Sequence, residues 1–314
     1  MRINEEVATY LEENPIMLPD TLTPEIIVAI REINDVLAAG EVGQEVLSVE
    51  NRTIPGPDGD VPVRIYTPAG QGKKCPAIVY YHGGGWTIGS LISYDAVCRR
   101  LANVTGNKVI SVGYRLAPEH RFPKGLEDCY AATQWVFDHA EELQLDDSRI
   151  SIGGDSAGGN LAAAVTLMSR ERKGPQIYAQ ILIYPAVDAL RSIEHTPYES
   201  IRENAQAPIL TSSLTKSFWD HYIQTEADGE NVYASPIKEK DLSNLPPALV
   251  ITAEYDPICD EGEAYADRLK KSGVPVKRTR YDGLVHGFLT LPISINEQVL
   301  QSIAEFLETD AIEK

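Results

Sequence analysis

Positive charge is scarce in these 314 residues: 28 lysines and arginines stand against 46 aspartates and glutamates, a formal net charge of −18. Such a surface repels phosphate backbones, so no nucleic-acid partner is expected. Solubility is a simpler reading of the acidic surplus than a dedicated interaction face. Cysteine is sparse as well. Cys75, Cys98, Cys129 and Cys259 lie far apart with no CxxC pair, which argues against a zinc site and a disulfide framework and fits a reduced cytoplasm. No apolar run approaches the ~18 residues that a membrane span needs. The opening MRINEEVATYLEENP lacks the basic and apolar regions of a signal peptide. Internal repeats and low-complexity tracts are missing too. The expectation is a soluble, cytoplasmic chain without stable membrane insertion, of a length that suits one large domain or a domain with a small insertion.

What is present is an alternation. Residues 1 to 45 read as helical, because PEIIVAIREINDVLAAG carries apolar residues at helical spacing and a terminal glycine. Two strands follow, EVLSVENRTI and VPVRIYTP, joined by the turn-forming PGPDGD. Then come the strand candidates PAIVYYH, NKVISVGY, SRISIGG, AQILIYP, PPALVITA and PVKRTRY, most of them separated by helical stretches. This order predicts an α/β fold, a mostly parallel sheet covered by helices on both faces. Residues 188–246 break the rhythm. A span so long between neighbouring strands reads as an inserted subdomain, with SFWDHYIQTEADG as a helix inside it. Residues 1–45 and the insertion 188–246 are expected to form a cap over a catalytic domain of residues 46–187 and 247–314.

Two glycine-rich stretches carry the chemistry. In GDSAG, residues 154 to 158, a serine stands between glycines after a strand and before a helix. The GxSxG spacing is that of a nucleophile elbow, where glycines let neighbouring backbone approach while Ser156 occupies a sharp turn. Its hydroxyl would then sit at a helix N-terminus, which favours developing negative charge. The pattern also suits an ordinary glycine turn, so a second signal matters. HGGGW, residues 82 to 86, follows an earlier strand. His-Gly-Gly-Gly arises by chance in only about one chain in several hundred at ordinary glycine usage. Consecutive glycines free backbone N–H groups to stabilise an oxyanion in acyl transfer. His82 itself reads as a residue that holds this loop.

Taken together, HGGGW, YRLAPEHRFPKGLEDC, GDSAGGN and YDPICDEGEAYADRL resemble the hormone-sensitive-lipase-like carboxylesterases of the α/β-hydrolase fold, from about residue 76 to the end. The resemblance implies an oxyanion hole made by the backbone N–H groups of Gly84, Gly85 and Ala157, and a helical cap. Asp155 gives the GDSAG form of the motif, where other members carry glutamate.

The acid and base follow from chain order, since a triad on this fold runs serine, carboxylate, histidine. Of six histidines, 82, 120 and 139 precede Ser156, and His195 and His221 fall in the expected cap. His286 remains, flanked by Gly283 and Gly287 after the last strand. The loop after PPALVITA offers Glu254, Asp256, Asp260 and Glu261. Asp260 and Glu263 have the spacing of a capping box. Asp256 stands where the family carries its acid, with Glu254 as the fallback. His286 would take the proton of Ser156 during attack on an ester carbonyl, with Asp256 fixing the imidazole. That mechanism needs no metal and no cofactor, and its partner is a small-molecule ester of short to medium acyl length. Trp86, Asp155, Phe218 and Trp219 are expected to line the substrate site. Amide or lactone hydrolysis would use the same triad. A small-molecule receptor on the same scaffold, as in plant gibberellin receptors, is disfavoured by the presence of His286. Oligomeric state, a homo-oligomer included, stays open.

Overall fold

Gly56 and Gly59 bracket a tight turn at Pro57 and Asp58, and the two strands it joins, β1 (Ser48–Gly56) and β2 (Gly59–Thr67), pair antiparallel along their whole length. They form one edge of an eight-stranded sheet in a computed structural model that describes residues 2–15, 18–40, 43–70, 74–190 and 192–308. The expected spans 1–45, 46–187, 188–246 and 247–314 therefore each include a few positions outside the described residues: 1, 16–17, 41–42, 71–73, 191 and 309–314.

Two helices come before the hairpin: α1 (Glu5–Glu13), capped by the Asn4 side chain, and α2 (Pro24–Ala39), capped by Thr23 with proline at its first turn. After it come β3 (Cys75–Tyr81), α3 (Asp95–Thr105), β4 (Lys108–Val112), α4 (Lys124–Asp138), β5 (Leu145–Asp155), α5 (Ala157–Arg172) and β6 (Gln180–Ile183). The inserted segment holds α6 (Ser200–Glu203), α7 (Ser212–Tyr222) and α8 (Glu226–Glu230), so SFWDHYIQTEADG contributes to two helices rather than one. The chain closes with β7 (Ala248–Tyr255), α9 (Cys259–Lys271), β8 (Val276–Val285) and α10 (Ile295–Glu308).

The strand order is β1-β2-β4-β3-β5-β6-β7-β8. Pairing is antiparallel from β1 to β4 and parallel from β4 to β8. Parallel strands are linked by crossover helices, which cover both faces and leave the inner strands apolar throughout rather than alternating. Successive residues of β3 show the division. Ile78 and Tyr80 join a core layer with Leu101 of α3 and Ile303 of α10. Val79 and Tyr81 join the opposite layer with Leu126 of α4, Leu161 of α5 and Leu269 of α9. All four cysteines are free and buried, and burial pushes the Cys98 and Cys259 thiols up to about 12.

A third, smaller apolar cluster joins the N-terminal region to the insertion. Leu22 and Ile27 pack with Leu210, Leu214 and Phe218. Leu22 N donates to Ser217 Oγ at 2.9 Å, and His221 Nε2 donates to Leu22 O at 2.9 Å. Arg31 of α2 ties this layer to the loops beneath it, donating to Thr87 O, Ala117 O and both carboxylate oxygens of Glu119. Among the described residues, no helix is long and apolar enough to cross a membrane.

Candidate active site

Strand β5 ends at Asp155 and α5 begins at Ala157, so Ser156 alone makes the turn between them. Its φ of 56° and ψ of −118° form a strained conformation for a residue with a side chain. The turn closes only because its neighbours are small. A Cβ on Gly154 would lie 2.4 Å from Tyr81 O, and one on Gly158 would lie 1.9 Å from the same oxygen. Two hydrogen bonds hold the elbow against β6: Ser156 N donates to Ile183 O at 2.8 Å, and Ala186 N donates to Ser156 O at 3.3 Å.

His286 follows β8 and meets Ser156 across the strand ends. Its Nε2 lies 2.9 Å from Ser156 Oγ, and its Nδ1 donates to Asp256 Oδ2 at 2.7 Å. Asp256 is fully buried, and its other oxygen, Oδ1, accepts from Ile258 N at 2.9 Å. The three residues expected from chain order are thus brought into one hydrogen-bonded line. Glu254, the fallback acid, has a different task. Its carboxylate accepts from Gly283 N at 2.7 Å and so joins the end of β7, just before Asp256, to the end of β8, just before His286. The N-terminus adds to this junction, with Asn4 N on Gly283 O at 2.8 Å and Arg2 N on Tyr255 Oη at 2.7 Å.

The glycine run lies beside the serine. Gly84 has φ 106° and Gly85 φ 56°, and a Cβ on Gly85 would strike the Phe218 ring at 2.2 Å. Among the described residues, no acceptor takes the N–H groups of Gly84, Gly85 or Ala157. Free donors of this kind suit an incoming anionic oxygen. His82, buried beneath the run, donates from Nδ1 to Gly83 O at 2.8 Å and stacks on Tyr114 with centroids 4.3 Å apart. Burial lowers its pKa to about 4, which keeps it neutral at ordinary pH.

Ser156, His286, Gly84 and Gly85 open into a cleft of about 540 Å³. Its walls include Leu214 and Phe218 of α7, Ile30 and Leu37 of α2, and Tyr10 of α1. Phe218 lines it as expected, but two other aromatics do not. Trp86 turns away from the cleft and stacks on Tyr222 at 4.2 Å, with Trp219 at 4.3 Å. Both tryptophans are buried in the body of the protein. Trp86 has a positive φ of 57°, and a side chain's direction at such a position cannot be read from the sequence.

Asp155 borders the cleft, yet its carboxylate is already engaged. Oδ1 accepts from Tyr80 Oη at 2.8 Å and Gly83 N at 3.0 Å, and Oδ2 accepts from Tyr94 Oη at 2.8 Å. Burial raises its pKa, opposed by the Tyr80 and Tyr94 hydroxyls. Asp155 thus lines the cleft, as expected, and its hydrogen bonds tie the elbow to the glycine run. The expected capping box is not formed. Asp260 does not cap α9: the N-cap is Ile258 without a side-chain bond, and Asp260 Oδ2 accepts from Ser200 N at 2.8 Å. Glu263 instead accepts from Thr252 Oγ1 at 3.2 Å. Tyr184 was missed altogether. It has φ 34°, and its ring lies 4.7 Å from the His286 ring. The sequence LIYP marks it only as the end of a strand.

Residues 78–290 match the family described as having an alpha/beta hydrolase fold. A carboxylesterase of Mycobacterium tuberculosis is 40% identical over 254 residues, covering 79% of this chain and 78% of its own. An arylesterase of Saccharolobus solfataricus is 39% identical over 263 residues, covering 83% and 84%. Among solved structures, a hyperthermophilic esterase from the archaeon Pyrobaculum calidifontis superposes with a TM-score of 0.90 at 41% identity, over 99% of this chain and 100% of that one. The fold, the four motifs and these relatives agree: the chain belongs to the hormone-sensitive-lipase-like carboxylesterases, serine ester hydrolases of the α/β-hydrolase fold.

Proposed function

We propose that the chain hydrolyses small carboxylic esters of short to medium acyl length, with Ser156 as nucleophile, His286 as base and Asp256 as the residue that orients the imidazole. The hydrogen-bonded line from Ser156 Oγ through His286 to Asp256, at 2.9 and 2.7 Å, carries this reading. His286 takes the serine proton as Oγ attacks the ester carbonyl, and the N–H groups of Gly84, Gly85 and Ala157 receive the oxyanion. The imidazolium then protonates the departing alcohol. Water repeats the cycle on the acyl-enzyme and releases the acid.

The limit on acyl length is supported by the walls of the cleft. Leu18, Ile30, Leu210, Leu214 and Phe218 close one side of it, and about 540 Å³ suits a compact ligand. We read residues 1–45 and 188–246 as the cap, because α2 and α7 share an apolar cluster above the strand ends. The unpaired thiols favour a cytoplasmic setting, and the net charge of −18 speaks against nucleic acid.

The test is a panel of p-nitrophenyl esters from acetate to palmitate, with matched anilides and lactones at equal concentration. Turnover is expected to peak at butyrate to octanoate and to fall at palmitate. A fluorophosphonate should label the wild type and leave Ser156→Ala unlabelled. Greater activity on emulsified long-chain triglyceride than on soluble butyrate would overturn the acyl-length reading. Labelling of Ser156→Ala would overturn the nucleophile.

A further inference from the structure

The insertion grips the loop of Asp256 through one short stretch, Ser200 to Asn204. Ser200 Oγ donates to Pro257 O at 2.7 Å and accepts from Asp260 N at 3.2 Å. Ser200 N donates to Asp260 Oδ2 at 2.8 Å. At the end of α6, Asn204 Nδ2 divides its two protons between Glu254 O at 3.1 Å and Asp256 O at 3.2 Å. Ser200 is 4% exposed and Asn204 8%, so water competes little for these bonds.

The carbonyls that receive them stand outside the sheet ladder, and Asp256 O also accepts from Cys259 N at 3.2 Å. The β7–β8 pairing shifts register between Ala253 and Tyr255, which leaves Glu254 out of the ladder, and Asp256 and Pro257 lie beyond its end. A buried carbonyl without a partner costs free energy comparable to a lost hydrogen bond. Ser200 and Asn204 therefore supply much of what a neighbouring strand supplies elsewhere, with Cys259 N adding a second donor to Asp256 O. The loop's course matters because Asp256 has little freedom of its own: one carboxylate oxygen is fixed by Ile258 N and the other faces His286.

We propose that Ser200 and Asn204 are positioning residues for the acid, holding the main chain on both sides of Asp256 so that its carboxylate stays on His286 Nδ1. This rests on the assignment of Asp256 as the orienting acid. The same stretch runs on into the wall of the cleft. Ser212 Oγ donates to Ile201 O at 2.6 Å and Ser212 N to Ala205 O at 3.1 Å. They dock the start of α7, whose Leu214 and Phe218 face the substrate space. The insertion thus serves two ends at once: one end contacts the acyl group and the other aligns the acid.

Asn204→Ala and, independently, Ser200→Ala test this. Each should lower kcat about tenfold with KM changed less than about twofold, the signature of a misplaced catalytic group rather than a lost binding contact. The low-field proton resonance of the His286–Asp256 hydrogen bond should broaden or move upfield. In an Asp256→Asn background, neither substitution should reduce kcat much further. A rise in KM at unchanged kcat, an unchanged proton resonance, or an equal loss in the Asp256→Asn background would overturn the proposal. If Asp256→Asn itself turns over at the wild-type rate, the assignment of the acid fails and the clamp falls with it. If Asp256→Asn is impaired while Ser200→Ala and Asn204→Ala are not, the clamp alone is wrong.

Discussion

Ser156 and the glycine run are shaped by the residues nearest to them, whereas Asp256 takes its place through contacts from Asn204, 50 residues before Glu254, and Ser200, 57 before Pro257. On the nucleophile side, a positive φ at Ser156 and close backbone approaches at Gly154 and Gly158 leave one workable conformation. Around Asp256 and His286, buried side chains from the insertion fasten the loop after β7, and the N-terminal residues Arg2 and Asn4 fasten the ends of β7 and β8. The first kind of site is written in a short motif. The second is written in pairs of residues that share no local pattern, and it ties the Asp256 loop to the inserted segment.

The comparison can be broken most severely at the centre. Ser156→Ala should lose on the order of 10⁶-fold in kcat, His286→Ala nearly as much, and the double variant should be scarcely worse than either. Asp256→Asn should lose about 10⁴-fold and retain more activity than the serine variant. Initial rates on butyrate esters, with thermal melting to confirm intact folds, decide the matter. Wild-type turnover by His286→Ala would dissolve the distinction between the two sides.

Alanine at the glycines sharpens it. At Gly84 a Cβ would lie 2.3 Å from Ile88 O at a φ of 106°, so Gly84→Ala must displace the run. We expect a kcat loss of about 10²- to 10³-fold, comparable to removing an oxyanion donor. At Gly283 the nearest atom would be Asn4 N at 3.2 Å, in a strap that can yield. Gly283→Ala should cost about tenfold or less, through left-handed strain of roughly 1–2 kcal/mol. Equal losses at both positions would mean that the acid and base side is as locally determined as the nucleophile side.

The smallest effect is on stability. Folded His82 resists protonation down to about pH 4, against 6.5 for an ordinary histidine. As pH falls through that window the unfolded chain binds a proton that the folded chain refuses, so His82 lowers stability toward acid, by at most about 1.4 kcal/mol per pH unit. Above 6.5 both states are neutral and the contribution is constant. Urea midpoints of His82→Gln against wild type should show one proton less in the slope between pH 6.5 and 4. An unchanged slope would mean that His82 titrates freely in the folded state.

The order of strands and helices was legible in the sequence, and so were the three residues, Ser156, His286 and Asp256, that the structure brings within hydrogen-bonding reach of one another. Strand periodicity, glycine spacing and chain order are local or ordinal signals, and the fold obeys them. Trp86, beside the glycine run, and Trp219, inside the inserted helix, do not line the cleft, because an aromatic residue in the sequence carries no mark of which way it points. Trp86 adopts a positive φ and joins the aromatic packing around Tyr222. Asp155 lines the cleft as expected, but its donors Tyr80, Gly83, Tyr94 and Tyr184 come from other parts of the chain and left no mark beside the motif. Asp260 had the spacing of a cap, but Ser200 N holds its carboxylate. Each miss concerns a partner distant in sequence, which spacing cannot report.

Four buried cysteines distribute four silent reporters through the protein. Cys75 begins β3, Cys98 lies in α3, Cys129 in α4, and Cys259 is the first residue of α9, three positions after Asp256. A disulfide reagent finds none of them until the surrounding structure opens, and the order in which they react is a clock for that opening. Cys259 should strike first if the acid loop loosens ahead of the sheet. Exchange could therefore be timed with no probe added to the native chain.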